Sequence, residues 1–202
     1  TRNLKPQTRD WEMRLFIIRH GETAWSLSGQ HTSSTDLALT ENGRRQAATL
    51  TTRLAGWKFA RVLTSPRRRA RTTAELTGFP HAEVTEDLRE FEYGEYEGLR
   101  KAEILARAPG WDIFRDGCPG GETVAQVLAR AQRVCARVRA GGNDALVFTH
   151  GHLGRILAAA WLGQPATFGA QLALDTCTLN ILKDDGGRAM IQTWNCAEDV
   201  RS

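Results

Sequence analysis

The chain has few cysteines, and they are scattered. Cys118, Cys135, Cys177 and Cys196 are the only four in 202 residues. No C-x-x-C pair occurs, which argues against a thiol redox motif or a zinc-ribbon spacing. A chain this long does not need a disulfide frame, so these are expected to be reduced thiols. Long apolar runs are also missing: none approaches the roughly 20 residues that span a bilayer. The first twelve residues, TRNLKPQTRDWE, are polar and hold no apolar stretch of the secretory type. The expectation is a soluble, cytoplasmic protein with no membrane partner. Repeats, low-complexity tracts and linkers are absent, so one domain over 1–202 is expected, with 1–12 peripheral.

What is present suits a globular enzyme or binding domain. Hydrophobic residues make up 41% and charged residues 25%, with a formal net charge of +4. The pI near 9.1 fits an anionic small molecule or a nucleic acid and does not choose between them.

Strand and helix signals alternate along the chain. Residues 14–20, RLFIIRH, form a short β-rich apolar run. Thr40 reads as the N-cap of a helix carrying Ala47, Leu50 and Leu54 and stopped by Gly56. ARVLTS (60–65) is a second strand. Ser65 and Pro66 then read as N-cap and first turn of a helix ending before Gly78. Residues 82–88 make a weaker strand, and 101–108 a short helix. ETVAQVLARAQRVCARVRAGG is the clearest helix, with Val124, Val127, Leu128, Ala131, Cys135 and Val138 in a stripe and Gly141-Gly142 at its end. A strand over 144–150, a helix over 152–163 and a hairpin with its turn at 184–187 complete the pattern. The alternation predicts an α/β fold, a three-layer α/β/α sandwich around a mostly parallel sheet. In such folds ligands sit beyond the carboxyl ends of the strands.

Two central strands end in the same chemistry, IIRHG and VFTHG. One histidine at a strand end is unremarkable; two, each followed by glycine, indicate a shared site. Gly21 and Gly151 would allow close approach to the backbone, and a helix starting after Gly151 would aim its amides at an anion. Arg19 adjoins His20. In SPRRRARTTA, Arg67 and Arg71 share a helix face while Arg69 points nearly opposite, at about 100° per residue. The run is therefore not one basic stripe, which weakens a nucleic-acid reading. Arg69 can instead make two parallel bonds to phosphate oxygens above the strand ends. Among Glu90, Glu92, Glu95 and Glu97, one carboxyl can serve as the proton donor a leaving oxygen needs. Spacing alone leaves open which.

These segments together resemble the histidine phosphatase superfamily, with its phosphoglycerate mutase-like fold. RHGETAW is similar to the family's nucleophile motif. SPRRRARTTA resembles S-P-x-x-R-A-x-x-T-A on Ser65, Arg69, Ala70, Thr73 and Ala74. LREFEYGEYEGL resembles the acid motif and selects Glu90, and THGHLGR resembles the second-histidine motif on His150 and Arg155. The resemblance implies His20 as nucleophile, Arg19, Arg69 and His150 around the phosphoryl group, and Glu90 as acid and base. It implies a phosphohistidine intermediate and no metal or other cofactor. Thr23, His31, Thr32, Ser65, Tyr93, Gly151, His152 and Arg155 are the implied substrate contacts, with Arg100, Lys101 and Arg115 as weaker candidates.

Several segments, SGQHTSSTDLALT and FRDGCPGGET among them, look closest to the sugar-bisphosphatase branch, of the fungal sedoheptulose-1,7-bisphosphatase kind. Ser33-Ser34 stands where the mutases carry Gly-Trp, and Arg115-Asp116 replaces a paired arginine. The expected partner is a small phosphate ester and not a nucleic acid; a homo-oligomer is compatible. The alternatives are a cofactor-dependent phosphoglycerate mutase and, from another class, a non-catalytic nucleic-acid-binding protein.

Overall fold

A computed structural model describes residues 12–197. Its six strands are β1 (Glu12–Arg19), β2 (Arg61–Thr64), β3 (Glu83–Val84), β4 (Ala145–Thr149), β5 (Leu179–Asp185) and β6 (Arg188–Cys196). They form one sheet in the order β3-β2-β4-β1-β5-β6. The first four are mutually parallel, while β5 runs antiparallel to β1 and β6 antiparallel to β5. The α helices are α1 (Ala24–Ser28), α2 (Glu41–Leu54), α3 (Arg68–Leu76), α4 (Lys101–Arg107), α5 (Ile113–Asp116), α6 (Val124–Gly141) and α7 (Gly151–Trp161). None of the described helices is long and apolar enough to cross a membrane.

The apolar runs of β1 and β4 are continuous because both faces of the sheet are covered. Leu15, Ile17, Ala145 and Val147 point into a core shared with Val127, Ala131 and Val134 of α6 and Leu153, Ile156 and Leu157 of α7. Phe16, Ile18, Leu146 and Phe148 alternate to the other face and meet Ala47, Leu50 and Leu54 of α2 and Ala74 of α3. This is the expected three-layer arrangement. Cys118, Cys135 and Cys177 are buried free thiols, and burial pushes all three up to about 12, so they stay protonated at neutral pH.

Local signals set most of the boundaries. Thr40 caps α2 by accepting from the Gly43 amide. Thr123 caps α6 in a reciprocal box with Gln126, and Gly142 ends it in the left-handed region. The closing hairpin turns at Gly186-Gly187, both with positive φ, as a two-residue turn of this type requires.

Other boundaries differ from the sequence reading. The expected N-cap at Ser65 is not one: α3 begins at Arg68 after Arg67, which makes no side-chain cap. The Ser65 hydroxyl is instead engaged at the site below. Only Glu83 and Val84 of the expected strand 82–88 pair, and Thr85 caps a 3-10 turn over Glu86–Leu88. In α6 the buried row is Val127, Arg130, Ala131, Val134, Cys135 and Val138; Val124 and Leu128 are only half-buried. The expected peripheral segment 1–12 lies outside the described residues except for Glu12, the first residue of β1. Two short helices, α1 and α5, carry too few residues to show a period.

Gly21 corrects a further expectation. Its open side does not face a ligand: a Cβ there would overlap the Gly43 carbonyl, and one on Gly43 would overlap the Glu22 carbonyl. The two glycines let the start of α2 lie directly on the backbone after β1. Thr40 N–H donates to the Glu22 carbonyl at 2.9 Å, and the Glu22 carboxylate accepts from Thr40 and Asn42. Gly43→Ala should therefore lower the unfolding free energy by about 1–3 kcal/mol in denaturant titrations, the usual range for overpacking. A melt unchanged from wild type would mean that α2 can slide away at no cost.

Candidate active site

A cavity of about 160 Å³ opens beyond the carboxyl ends of β1 and β4. Nine of the expected site residues line it: Arg19, His20, His31, Thr32, Glu90, Tyr93, Gly151, His152 and Arg155.

His20 follows the last residue of β1 and is held by both its backbone and its ring. Its N–H donates to the Thr149 carbonyl at 2.9 Å. Its Nδ1 lies 2.8 Å from the Gly21 carbonyl. A carbonyl only accepts, so Nδ1 carries the proton. Burial, then the charges of Arg69 and Arg19, push the imidazole well below its ordinary value. A neutral ring with its proton on Nδ1 leaves a lone pair on Nε2.

His150 is fully buried, its ring 5.1 Å from that of His20. Its Nε2 lies 2.7 Å from the Ser65 hydroxyl, which accepts from the Arg67 amide at 3.3 Å. With Ser65 donating its proton to Nε2, the neutral ring keeps its own on Nδ1. That nitrogen is buried and has no partner. Ser65 is thus a support for His150 and not a lining residue. Thr23, expected as a contact, is also absent from the lining: its hydroxyl caps α1 by accepting from the Ser26 amide.

The arginines are more committed to the protein than the sequence reading supposed. Arg69 is fully buried, as its opposed helix position predicted, while Arg68 and Arg71 are exposed. Its Nη1 donates to the Thr35 carbonyl and its Nη2 to those of Thr32 and Ser33. Three of its five N–H donors are thereby taken by this loop, and its Nε is buried without a partner among the described residues. Arg19 donates from Nη1 to the Leu174 carbonyl at 2.7 Å, and its buried Nε is likewise without a partner. The Nε of Arg19 and of Arg69 and the Nδ1 of His150 are thus buried without a partner among the described residues, and of these three residues only Arg19 lines the cavity.

Glu90 occupies the helix terminus that was expected to bind an anion. Its Oε1 accepts from the amides of Phe91 and Leu153, both at 2.9 Å, and its Oε2 from His152 N at 3.1 Å. The start of α7 therefore holds a protein carboxylate. Tyr93 is buried beside it, and burial with the Glu90 charge pushes its hydroxyl well above the ordinary value.

Support for this carboxylate comes from residues that the sequence reading did not select. Arg130 on the buried row of α6 donates to the carbonyls of Asp87, Arg89 and Glu90. It also pairs with the Glu122 carboxylate through Nε at 3.0 Å and Nη2 at 2.9 Å. Glu122 in turn accepts from Glu92 N and Arg89. An arginine on an otherwise apolar helix row was the available signal. Glu97 similarly accepts from the amides of Ser33 and Thr35, fixing the loop that Arg69 grips. Trp25, Ser26, Gly29, Gln30 and Leu174 complete the lining, brought in by α1 and by a loop that carried no local signal.

Of the weaker cationic candidates, Lys101 lines a second cavity of about 220 Å³ that shares His31, His152 and Arg155 with the first. Arg100 donates to the Ser28 carbonyl. Arg115 pairs with Asp116 and lines neither cavity.

A sequence model described as histidine phosphatase superfamily (branch 1) matches residues 15–197. An acid phosphatase of Mycobacterium tuberculosis is 40% identical over 177 residues, covering 83% of this chain and 85% of its own. A sedoheptulose 1,7-bisphosphatase of Saccharomyces cerevisiae is 39% identical over 185 residues, covering 74% and 68%. The solved structure of an open reading frame product from Mycobacterium tuberculosis superposes with a TM-score of 0.87 at 37% identity, over 91% of this chain and 97% of that one.

Two predictions follow from the charges. His20, His150 and His152 are all held well below 6.5 by burial first, with nearby cations adding to it. Between the folded and unfolded values the unfolded chain binds more protons, so stability is fully present above about pH 6.5 and declines as pH falls below it. Each group contributes up to about 1.4 kcal/mol per pH unit. Denaturant unfolding from pH 7.5 to 5 should show this slope, and His152→Phe should reduce it; a flat profile would contradict burial as neutral rings. Arg130→Met leaves Glu122 buried without its main partner and should cost about 3–5 kcal/mol. At permissive temperature it should lower kcat more than it raises KM, since it loosens Glu90; an unaltered kcat would detach this ion pair from the site.

Proposed function

We propose that this chain, which belongs to the histidine phosphatase superfamily, hydrolyses sugar phosphates and bisphosphates through a phosphohistidine on His20. The observation that carries the mechanism is the His20 Nδ1 bond to the Gly21 carbonyl, which leaves Nε2 unprotonated in the cavity. Nε2 attacks phosphorus in line with the ester oxygen. The N–P bond forms as the P–O bond breaks, and the leaving alkoxide takes a proton from Glu90 in its protonated form, the proton being the one left on it by the water of the preceding turnover. The Glu90 carboxylate then takes a proton from water, whose oxygen displaces the imidazole and releases phosphate. Splitting one displacement into two in this way is covalent catalysis.

Charge on the transferring group falls on the three oxygens that neither attack nor leave. In this reading Arg19, which lines the cavity, and Arg69 and His150, buried behind it, supply unpartnered nitrogens to meet that demand. Fixed donors of this kind cost no reorganisation when the charge develops. The sugar-phosphate part of the proposal is supported by the identity to the yeast enzyme and by the second cavity. That cavity offers Lys101 and Arg155 to a leaving group too large for the first.

Purified protein given a panel of phosphate esters should release inorganic phosphate undiminished in EDTA, because the cations are side chains. His20→Ala should reduce kcat by at least about 10³-fold, as loss of a nucleophile does elsewhere. Wild type quenched in alkaline detergent should retain a phosphoryl label that is stable in base and lost on acid treatment. Turnover retained in His20→Ala would remove His20 as nucleophile, and a strong preference for monophosphates would overturn the bisphosphate assignment.

A further inference from the structure

His31 stands at the threshold between the two cavities, since it lines both. Its position is fixed from three sides. Its backbone N–H donates to the Leu99 carbonyl and its own carbonyl accepts from Gly98, each at 2.9 Å. Its ring stacks on His152, centroids 5.6 Å apart and planes 9° from parallel, and takes the edge of Tyr93 at 4.8 Å. Its Nδ1 lies 2.9 Å from the Leu99 carbonyl, so that nitrogen donates and carries a proton. Burial, opposed by Leu99, Glu90 and Glu97 and assisted by Lys101, lowers the imidazole below its ordinary value. The neutral ring then holds a lone pair on Nε2, and no described residue bonds to that atom.

The other polar groups on this wall are already engaged. The Thr32 hydroxyl donates to the Gln30 carbonyl. The Gln30 amide donates to the Gly98 carbonyl, and its oxygen accepts from Ser28. The Ser26 hydroxyl donates to the Thr23 carbonyl and accepts from Thr23 N–H. These oxygens keep spare lone pairs, and Tyr93 Oη lies 2.7 Å from His152 Nδ1; His31 Nε2 stands with them as an acceptor on this wall, and it holds no bond among the described residues. An acceptor repels a carboxylate or phosphate oxygen and is satisfied only by a donor.

We propose that His31 Nε2 accepts a hydrogen bond from a hydroxyl on the leaving group, so that the enzyme selects phosphate esters of polyols over esters lacking a neighbouring hydroxyl. This rests on the phosphatase reading of the site. In that arrangement the phosphoryl group meets donors at His20, and the carbon skeleton meets an acceptor at the threshold. A site built to bond a hydroxyl discriminates against the analogue that lacks it, because the buried polar atom is then left unpaired.

Glycerol 1-phosphate and propyl phosphate are a suitable pair, equal in chain length and differing in hydroxyls. In ¹⁵N-histidine-labelled His20→Ala protein at neutral pH, free His31 should show the Nδ1–H tautomer. Glycerol 1-phosphate should shift its Nε2 resonance upfield, and propyl phosphate should bind without that shift. An Nε2–H tautomer, or equal shifts with both esters, overturns the proposal. In the otherwise unmodified enzyme, kcat/KM should favour glycerol 1-phosphate, and His31→Phe should shrink that preference on the order of tenfold. His31→Gln, which restores an acceptor, should recover part of it. Equal losses on both esters in His31→Phe would also overturn the proposal. If neither ester is hydrolysed while the selective shift is present, the phosphatase reading fails and the acceptor assignment stands.

Discussion

The bond from His20 N–H to the Thr149 carbonyl joins the ends of two parallel strands, and the site depends on it. Parallel pairing of β1 with β4 places Arg19 opposite Thr149. The next residue on each strand is therefore a histidine beside a histidine. Their separation of 5.1 Å is set by neighbouring strands in one sheet and not by loop conformation. The strands are in turn locked by apolar side chains on both faces, so the ring positions inherit the rigidity of the core. Thr73 adds a cross-tie: its hydroxyl accepts from Gly21 N–H at 3.0 Å and donates to the Arg69 carbonyl at 2.7 Å. The turn after β1 and the first turn of α3 are thereby fixed to each other.

The same compactness creates an electrostatic debt. Arg19, Arg69 and His150 crowd a buried volume with N–H groups left without partners, while Glu90 is held by three amides at the wall. Burial keeps the imidazoles neutral, which limits the repulsion and preserves the lone pair on His20. Protonating either ring would add a cation beside two guanidinium groups. The property that makes the pocket receptive to an oxyanion is thus the one that makes the ligand-free fold sensitive to acid.

Much of the centre was legible in the sequence because it is written in strand ends and short motifs. Arg19, His20, Glu90 and His150 come together as the motifs implied, and the opposed direction of Arg69 was a matter of helical angle alone. The misreadings share a cause: a residue's local signal was answered by a distant partner. Ser65 looked like an N-cap, yet its hydroxyl is taken by His150, 85 positions away. Gly21 looked like room for a ligand, yet that room is filled by Gly43. The start of α7 looked like an anion site, yet the anion is Glu90. Arg130 and Glu122 were passed over because a helix row is read by its apolar members, and the charge on it has meaning only once residues 87–92 are folded against it.

In the proposed mechanism, catalysis and specificity are held by different parts of the chain. The reacting groups sit on strand and helix ends, where the core fixes them. The threshold residues sit on loops, and those loops are fixed mainly by one another. Gly98 and Leu99 grip His31, Glu97 grips Ser33 and Thr35, and Arg69 grips the carbonyls of Thr32, Ser33 and Thr35. Arg69 thus reaches the site in two ways, by lowering His20 through its charge and by holding the loop next to His31. A change in these loops can alter the shape and polarity of the threshold while the strand-end histidines stay in place. A change at Arg69 cannot, because its one guanidinium both holds that loop and acts by its charge on His20.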